Sequence, residues 1–101
     1  MIAQNIEIKR DELIVFRKLF LRALNENQLL ILRSINGKHH SLNALLEELS
    51  RETKKPISTL KLNAKILKDL GLIDYGKKDN PKPVELTKHG KLVLKILGVV
   101  E

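Results

Sequence analysis

The chain has 101 residues and no cysteine, and its 19 lysine and arginine residues exceed its 12 acidic residues to give a net charge of +7. This length predicts one domain with a modest core, and the lack of cysteine excludes disulfides and thiolate metal sites. No apolar run reaches the roughly 18 residues that span a bilayer, and residues 1–10 lack a signal-peptide pattern, so we expect a cytoplasmic protein without a membrane partner. An isoelectric point near 9.8 favours a nucleic-acid partner.

The first two helices are predicted from capping residues and apolar spacing. Asp11 is a candidate cap for a helix over residues 12–24, because its side chain can accept from the N–H groups of the first turn. Asn25 and Gln28 fit the capping box of a second helix, in which apolar residues recur at helical spacing. The Asn-Gly pair at residues 36–37 should end this helix, since a glycine there adopts the left-handed conformation.

Two further helices are predicted on either side of a short turn. After a connector or single-rung strand at residues 38–40, Ser41 is a candidate cap for the third helix, whose leucines recur on one face. The Lys-Pro pair at residues 55–56 should end it, because the residue before a proline avoids the helical region. Ser58 is a candidate cap for a fourth helix over residues 58–70. The inward face of the fourth helix is predicted at Leu60, Ala64 and Leu67, and Gly71 is predicted to end the helix.

A β-hairpin and a last helix are predicted to follow. Residues 72–75 and 84–86 are short strand candidates, and residues 76–83 between them are dense in turn-forming residues. Thr87 is a candidate cap for a fifth helix over residues 88–97. The predicted fold class is therefore mainly α (α+β), and no linker or repeat divides the chain into separate domains.

Two sequence motifs resemble elements of one known fold. Three apolar residues stand eleven, seven and four positions before Gly71, which is followed by Leu-Ile, and residues 86–90 read Leu-Thr-Lys-His-Gly. In this order and at this distance, the motifs resemble the recognition helix and the end of the wing in winged helix-turn-helix regulators of bacteria and archaea, such as the MarR-like and ArsR-like families. The resemblance makes residues 25–97 the core of a single domain over residues 1–101, with residues 1–24 as an N-terminal helical extension.

The resemblance implies a duplex-DNA-binding transcription regulator without a cofactor. Its recognition helix, about residues 58–70, would enter the major groove, and its basic wing, residues 76–83, would lie on the flanking backbone. The implied DNA contacts are Ser58, Thr59, Lys61, Leu62, Lys65 and Lys68 on the helix, Lys77, Lys78 and Lys82 on the wing, and His39 and His40 before the third helix. Leu62 stands where relatives often place a polar residue, and it would meet a thymine methyl group or pack on a partner.

Two other functions stay open from the sequence. The fourth helix has no arginine for guanine recognition, which favours a low-specificity architectural DNA binder. Leu62 and Ile66 widen its apolar arc, which favours a winged-helix module for protein–protein interaction. A lysine stripe on a helix is also often no more than a solvated face.

Neither an enzyme nor a metal protein is expected. Ser41 and Ser58 fit helix caps better than nucleophiles, because no Gly-x-Ser-x-Gly elbow is present, and no glycine-rich loop cradles phosphate. His39 and His40 are adjacent and lack a carboxylate motif that would complete a metal site. We therefore expect no cofactor, no metal and no small-molecule substrate. With only three aromatic residues to stack on bases, duplex DNA is favoured over single strands.

The terminal helices predict a homodimer. Both carry apolar residues around most of their circumference, whereas a helix of a small domain needs only one apolar stripe for its own core. Surplus apolar surface marks an interface. The predicted interface residues are Phe16, Leu19, Phe20, Val93, Leu94 and Leu97. The composition, rich in lysine and glutamate and without cysteine or tryptophan, favours a thermophilic source.

Overall fold

The computed structural model of the protein describes residues 8–77 and 79–99. Within these residues, five helices and one two-stranded antiparallel sheet form the fold. In chain order the elements are α1 (Arg10–Ala23), α2 (Glu26–Ser34), α3 (Leu42–Thr53), α4 (Ile57–Asp69), β1 (Ile73–Asp74), β2 (Glu85–Leu86) and α5 (Lys88–Leu97). The prediction of a mainly α chain with a small hairpin is therefore confirmed. Lys78 and residues 1–7 of the predicted N-terminal extension lie outside the described residues.

Three helix starts follow the predicted capping chemistry. The Asn25 side chain accepts a hydrogen bond from the Gln28 N–H, and the Gln28 side chain accepts one from the Asn25 N–H, which completes the capping box. The hydroxyls of Ser41 and Thr87 each accept from the backbone N–H three residues ahead. These bonds satisfy donors that the first turn of a helix leaves without a partner.

Two predicted caps are wrong. Helix α1 begins at Arg10, so Asp11 lies inside its first turn, where a carboxylate still interacts favourably with the helix dipole. Helix α4 begins at Ile57, directly behind Pro56, and Ser58 is its second residue rather than its cap. Proline supplies a fixed φ (here −58°), so the chain enters α4 without a side-chain cap.

The connector between α2 and α3 also differs from the prediction. Helix α2 ends at Ser34, before the Asn-Gly pair that was expected to stop it. Gly37 does adopt a left-handed conformation with φ of +80°, but within the connector. The Asn36 side chain accepts a hydrogen bond from the Lys38 N–H at 3.0 Å, which forms a local turn. Residues 38–40 form no strand.

The core draws its side chains from α2 to α5 and from the hairpin. Leu60, Ala64 and Leu67 are fully buried, which confirms the predicted inward face of α4.

The strands are shorter than predicted, and Ile73 pairs with Leu86 across the sheet. Helix α1 has no fully buried residue and packs mainly on α5. None of the described helices combines the length and the apolarity that a bilayer crossing requires.

The two sequence motifs meet at the junction of hairpin and α5. The Thr87 hydroxyl donates to the carbonyl of Gly71 at 2.5 Å, and the Thr87 N–H donates to the carbonyl of Leu72 at 3.1 Å. Gly90 packs so closely on Leu72 that a β-carbon there would overlap the Leu72 carbonyl oxygen. The glycine is therefore required by close packing, and the junction fixes the hairpin against the end of α4.

Candidate nucleic-acid interface

A short turn holds α4 across α3. Lys54 ends α3 in the left-handed conformation, with φ of 60°, and its N–H donates to the Ser50 carbonyl. The Ser50 hydroxyl donates to the carbonyl of Lys55 at 2.7 Å, and the Lys55 ammonium lies 3.2 Å from the carboxylate of Glu26 on α2. The three-residue turn is thus tied to both preceding helices, and α4 packs against α2 as well as α3.

A buried amide network fixes α4 against the start of α2. The side-chain oxygen of Asn63, which is 5% exposed, accepts from the amides of Asn25 at 2.9 Å and Gln28 at 3.2 Å. Its own amide donates to the Thr59 carbonyl at 2.9 Å. Sequence analysis missed this role, although a lone asparagine within the apolar arc of a helix is a signal for a satisfied buried amide. The capping box of α2 therefore also sets the position of α4.

The outward face of α4 carries most of the predicted contact residues. Ser58, Lys61, Leu62 and Lys65 are exposed, whereas Thr59 is half-buried. Lys61 and Lys65 stand one helical turn apart on one side of the helix. Among residues 8–77 and 79–99, no acidic group pairs with either lysine. Their ammonium groups therefore remain available for a partner.

Lys68, one of the predicted DNA contacts, is engaged within the chain. Its ammonium donates to the Tyr75 carbonyl at 3.0 Å and lies 4.3 Å from the centre of the Tyr75 ring. It also lies 3.8 Å from a carboxylate oxygen of Asp74. A cation over an aromatic face is attracted by the ring electrons, so Lys68 fastens α4 to the end of β1 instead of projecting outward.

Lys82, another predicted DNA contact, is exposed on the hairpin and pairs with Asp74. Its ammonium lies 2.8 Å from the Asp74 carboxylate, which also accepts from the Tyr75 N–H at 2.9 Å. The hydrogen bond from Lys82, followed by the one from the Tyr75 backbone, lowers the pKa of Asp74 below its ordinary value. The same pair raises the pKa of Lys82. Sequence analysis overlooked Asp74, whose single carboxylate pairs with Lys82 and also lies 3.8 Å from the Lys68 ammonium.

Lys77 lies exposed at the hairpin tip. Lys77 pairs with Asn80 through the backbone, with the Asn80 N–H donating to the Lys77 carbonyl at 3.0 Å. Gly76 lies under this turn, and a β-carbon there would approach the carbonyl carbon of Pro81 to 2.8 Å. The Lys77 side chain has no ion-pair partner in the described part of the chain. Lys78, the neighbouring predicted contact, lies outside the described residues.

The two histidines before α3 have different surroundings. His39 is half-buried and its Nε2 contacts the carboxylate of Glu48 on α3, so it fastens the connector to α3 rather than facing a partner. The hydrogen bond from His39 is the largest cause of the lowered pKa of Glu48. His40 is exposed. Within residues 8–77 and 79–99, no group of three or more histidine and acidic side chains could hold a metal ion.

The predicted dimer residues on α5 lie mostly inside the chain. Val93 and Leu97 are buried within the chain and so do not lie on an exposed interface as predicted, whereas Leu94 is half-buried. The reason is that α1 covers the apolar side of α5, and the Arg17 side chain donates to the Leu97 carbonyl at 3.2 Å. The two terminal helices bury part of each other's surplus apolar surface.

The outward side of α1 remains apolar and exposed. Val15 and Leu19 are each 56% exposed and Phe16 is 39% exposed. The Phe16 ring stacks on Phe20, with ring centres 6.5 Å apart, and Phe20 itself packs partly on the core. Of the predicted interface residues, Phe16 and Leu19 therefore lie on the surface.

The lysines of the candidate interface fall into two groups. Lys68 and Lys82 are held by Tyr75 and Asp74, whereas Lys61, Lys65 and Lys77 carry exposed positive charge without an acidic partner among the described residues. An exposed positive row on a helix face can bind a polyanion. Comparisons with protein-family models, with curated proteins and with solved structures found no match to this chain.

Proposed function

We propose that the protein is a winged helix-turn-helix transcription regulator that binds duplex DNA. Helix α4 enters the major groove, and the hairpin acts as the wing on the flanking backbone. The single observation that carries this proposal is the pair of exposed lysines, Lys61 and Lys65, on the outward face of α4. The order of two helices around a short turn, a hairpin and a closing helix supports it.

The mechanism is electrostatic positioning on the phosphate backbone. The major groove, about 12 Å wide, admits a helix of about 10–12 Å diameter. Lys61 and Lys65 then lie near the phosphates that border the groove, and Lys77 lies near those beyond it. Each lysine that neutralises a phosphate releases condensed counterions, which supplies affinity that falls with added salt.

Salt dependence of binding tests this function. Three exposed lysines per chain give six phosphate contacts in a dimer, so the logarithm of affinity should fall with the logarithm of salt concentration with a slope of roughly −5. A fluorescence-anisotropy titration of a labelled duplex at several salt concentrations measures the slope. A slope near zero contradicts the mechanism.

Competition between genomic and random duplexes separates a sequence-selective regulator from an architectural binder, which binds both kinds of duplex equally well.

We further propose that the regulator is a homodimer that pairs through the outward side of α1. Val15, Phe16 and Leu19 form a contiguous apolar surface there, and such a surface is costly to leave in water. A twofold axis next to α1 would present two copies of α4 to successive major grooves, about one helical turn of DNA apart.

A pair of matched substitutions tests the dimer. Leu19→Asp on α1 should weaken dimerisation, because it places a charge in an apolar interface, whereas Leu92→Asp on α5 should not. The two leucines have similar exposure, 56% and 50%. Light scattering across a range of concentrations measures the association. A parent protein that stays monomeric at high concentration, or equal effects of the two substitutions, contradicts an interface on α1.

A protein-interaction module is the second candidate. The observation in its favour is a row of exposed aliphatic residues, Leu62 and Ile66 on α4 and Leu70 directly after it. Leu62 and Leu70 are about as exposed as Val15 and Leu19 of α1. Apolar rows on a helix commonly dock into a protein groove. If the parent protein binds no duplex at low salt, this second function replaces the first.

A further inference from the structure

Two exposed aliphatic side chains lie on the outward face of α4. Leu62 is 61% exposed and Ile66 is 37% exposed. The core does not require them, because α4 already contributes its fully buried Leu60, Ala64 and Leu67 from the opposite side. Leu62 and Ile66 stand four residues apart and thus lie one above the other on the helix surface.

Few side chains of α4 can recognise a base by hydrogen bonds. The helix contains neither arginine nor glutamine. Its only asparagine, Asn63, is buried, and both ends of its amide are engaged, with Asn25 and Gln28 on one side and the Thr59 carbonyl on the other. The bidentate amide contact by which proteins usually recognise adenine is therefore not available on this helix.

Charge complementarity indicates what covers the two aliphatic side chains. Lys65 stands three residues after Leu62 and adjoins it on the helix surface, so the row of Lys61 and Lys65 runs alongside the row of Leu62 and Ile66. Neither lysine pairs with an acidic group of the described residues. A surface of this kind matches a groove with phosphates along its edge and an apolar group on its floor. In duplex DNA that apolar group is the C5 methyl of thymine, which lies in the major groove.

We propose that Leu62 and Ile66 contact thymine methyl groups, so that α4 selects duplex sites that contain thymine. The inference rests on the proposed placement of α4 in the major groove. Four residues of helix rise by about 6 Å, and neighbouring bases are about 3.4 Å apart along a strand. The two side chains therefore reach thymines that are one to two base steps apart.

The experiment compares two duplexes that differ only in methyl groups. One is an alternating adenine–thymine duplex of roughly 24 base pairs, which holds two groove sites about one turn apart. The other has the same sequence with deoxyuridine in place of every thymidine. Burial of two methyl groups predicts roughly tenfold tighter binding of the thymine duplex per chain. Anisotropy titration at one fixed salt concentration gives the ratio of the two affinities.

Variants assign this ratio to particular side chains. The double substitution Leu62→Ala with Ile66→Ala should reduce the ratio to about one, since the contacting groups are gone. The control Leu92→Ala, at an exposed leucine of α5, should keep the full ratio. Lys61→Gln with Lys65→Gln should weaken binding of both duplexes equally and keep the ratio, because phosphate contacts carry no base information.

The outcomes separate this inference from the proposed function. If the parent protein binds both duplexes with equal affinity, thymine recognition is wrong and duplex binding stands. If the Leu62 and Ile66 double variant keeps the full ratio, other residues recognise the methyl groups and the assignment is wrong. If neither duplex binds at low salt, the proposed function fails together with the inference, and the aliphatic row then faces a protein partner.

Discussion

The two sides of α4 contrast sharply. On the inward side, Leu60, Ala64 and Leu67 are fully buried, and every polar group of the Asn63 amide has a hydrogen-bond partner. On the outward side, Leu62 stands exposed between lysines that pair with no acidic group of the described residues. The inward residues are thus explained by the fold, whereas the fold does not require the outward residues.

A similar contrast exists among the lysines of this helix. Lys65 and Lys68 are three residues apart, yet only Lys68 is held, by the Tyr75 ring and carbonyl and the nearby Asp74 carboxylate. Lysine identity alone does not show which of them is available to bind DNA. The position of a tyrosine and an aspartate on the hairpin decides between them.

The largest expected effect contrasts two leucines on opposite sides of α4. Leu67→Ala should lower the free energy of unfolding by about 2–5 kcal/mol, because it leaves a cavity in a close-packed core. Leu62→Ala on the outward side should change it by no more than about 0.5 kcal/mol. Chemical denaturation followed by circular dichroism measures both. Similar losses for the two variants would contradict the assignment of the two faces.

The next effect concerns the buried amide. Asn63→Ala should cost about 1–3 kcal/mol of unfolding free energy, since the amides of Asn25 and Gln28 are left without their common acceptor in a buried site. The control is Asn43→Ala, at an exposed asparagine of α3, which should be close to neutral. Equal unfolding free energies for the two variants would show that the amide network does not hold α4 in place.

The smallest expected effect is the loss, at acid pH, of the stability that the ionised Asp74 carboxylate gives to the hairpin. The pKa of Asp74 is lowered in the folded chain, chiefly by the Lys82 hydrogen bond, so its stabilising contribution is complete above the ordinary pKa of 3.8. That contribution is lost as the pH falls through the lowered value. The melting temperatures of the parent and Asp74→Asn should therefore differ slightly near neutral pH and converge in acid. If the difference in melting temperature grew as the pH fell, the ionised form of Asp74 would not be the stabilising one.

Local chemistry was predictable from the sequence where it depends on a few neighbouring residues. The capping box at Asn25, the Thr87 cap and the bounds of α5 were predicted correctly. Asp11 and Ser58 were not caps, because a cap also requires the chain to leave the helical region at that residue. At α4 the left-handed Lys54 and the fixed φ of Pro56 set the start of the helix one residue earlier.

Tertiary contacts were not predictable in the same way. Lys82 and Lys68 appeared available because their partner, Asp74, is brought to them only by the folding of the hairpin against α4. Val93 and Leu97 appeared to be surplus apolar surface, because the sequence does not reveal that α1 packs on α5. Hydrophobic periodicity predicts which face of a helix is buried, but it does not specify the partner.

The most direct test of the central claim compares two lysine pairs of equal spacing and charge. Lys61→Gln with Lys65→Gln on α4 should flatten the salt dependence of duplex binding by about 1.8 in log–log slope per bound chain, at about 0.9 for each phosphate that a lysine no longer neutralises. Lys91→Gln with Lys95→Gln, on the exposed side of α5, should leave the slope unchanged. We expect this difference in an anisotropy titration of one duplex at several salt concentrations. Equal slopes for the two double variants would contradict the assignment of α4 as the DNA-binding helix.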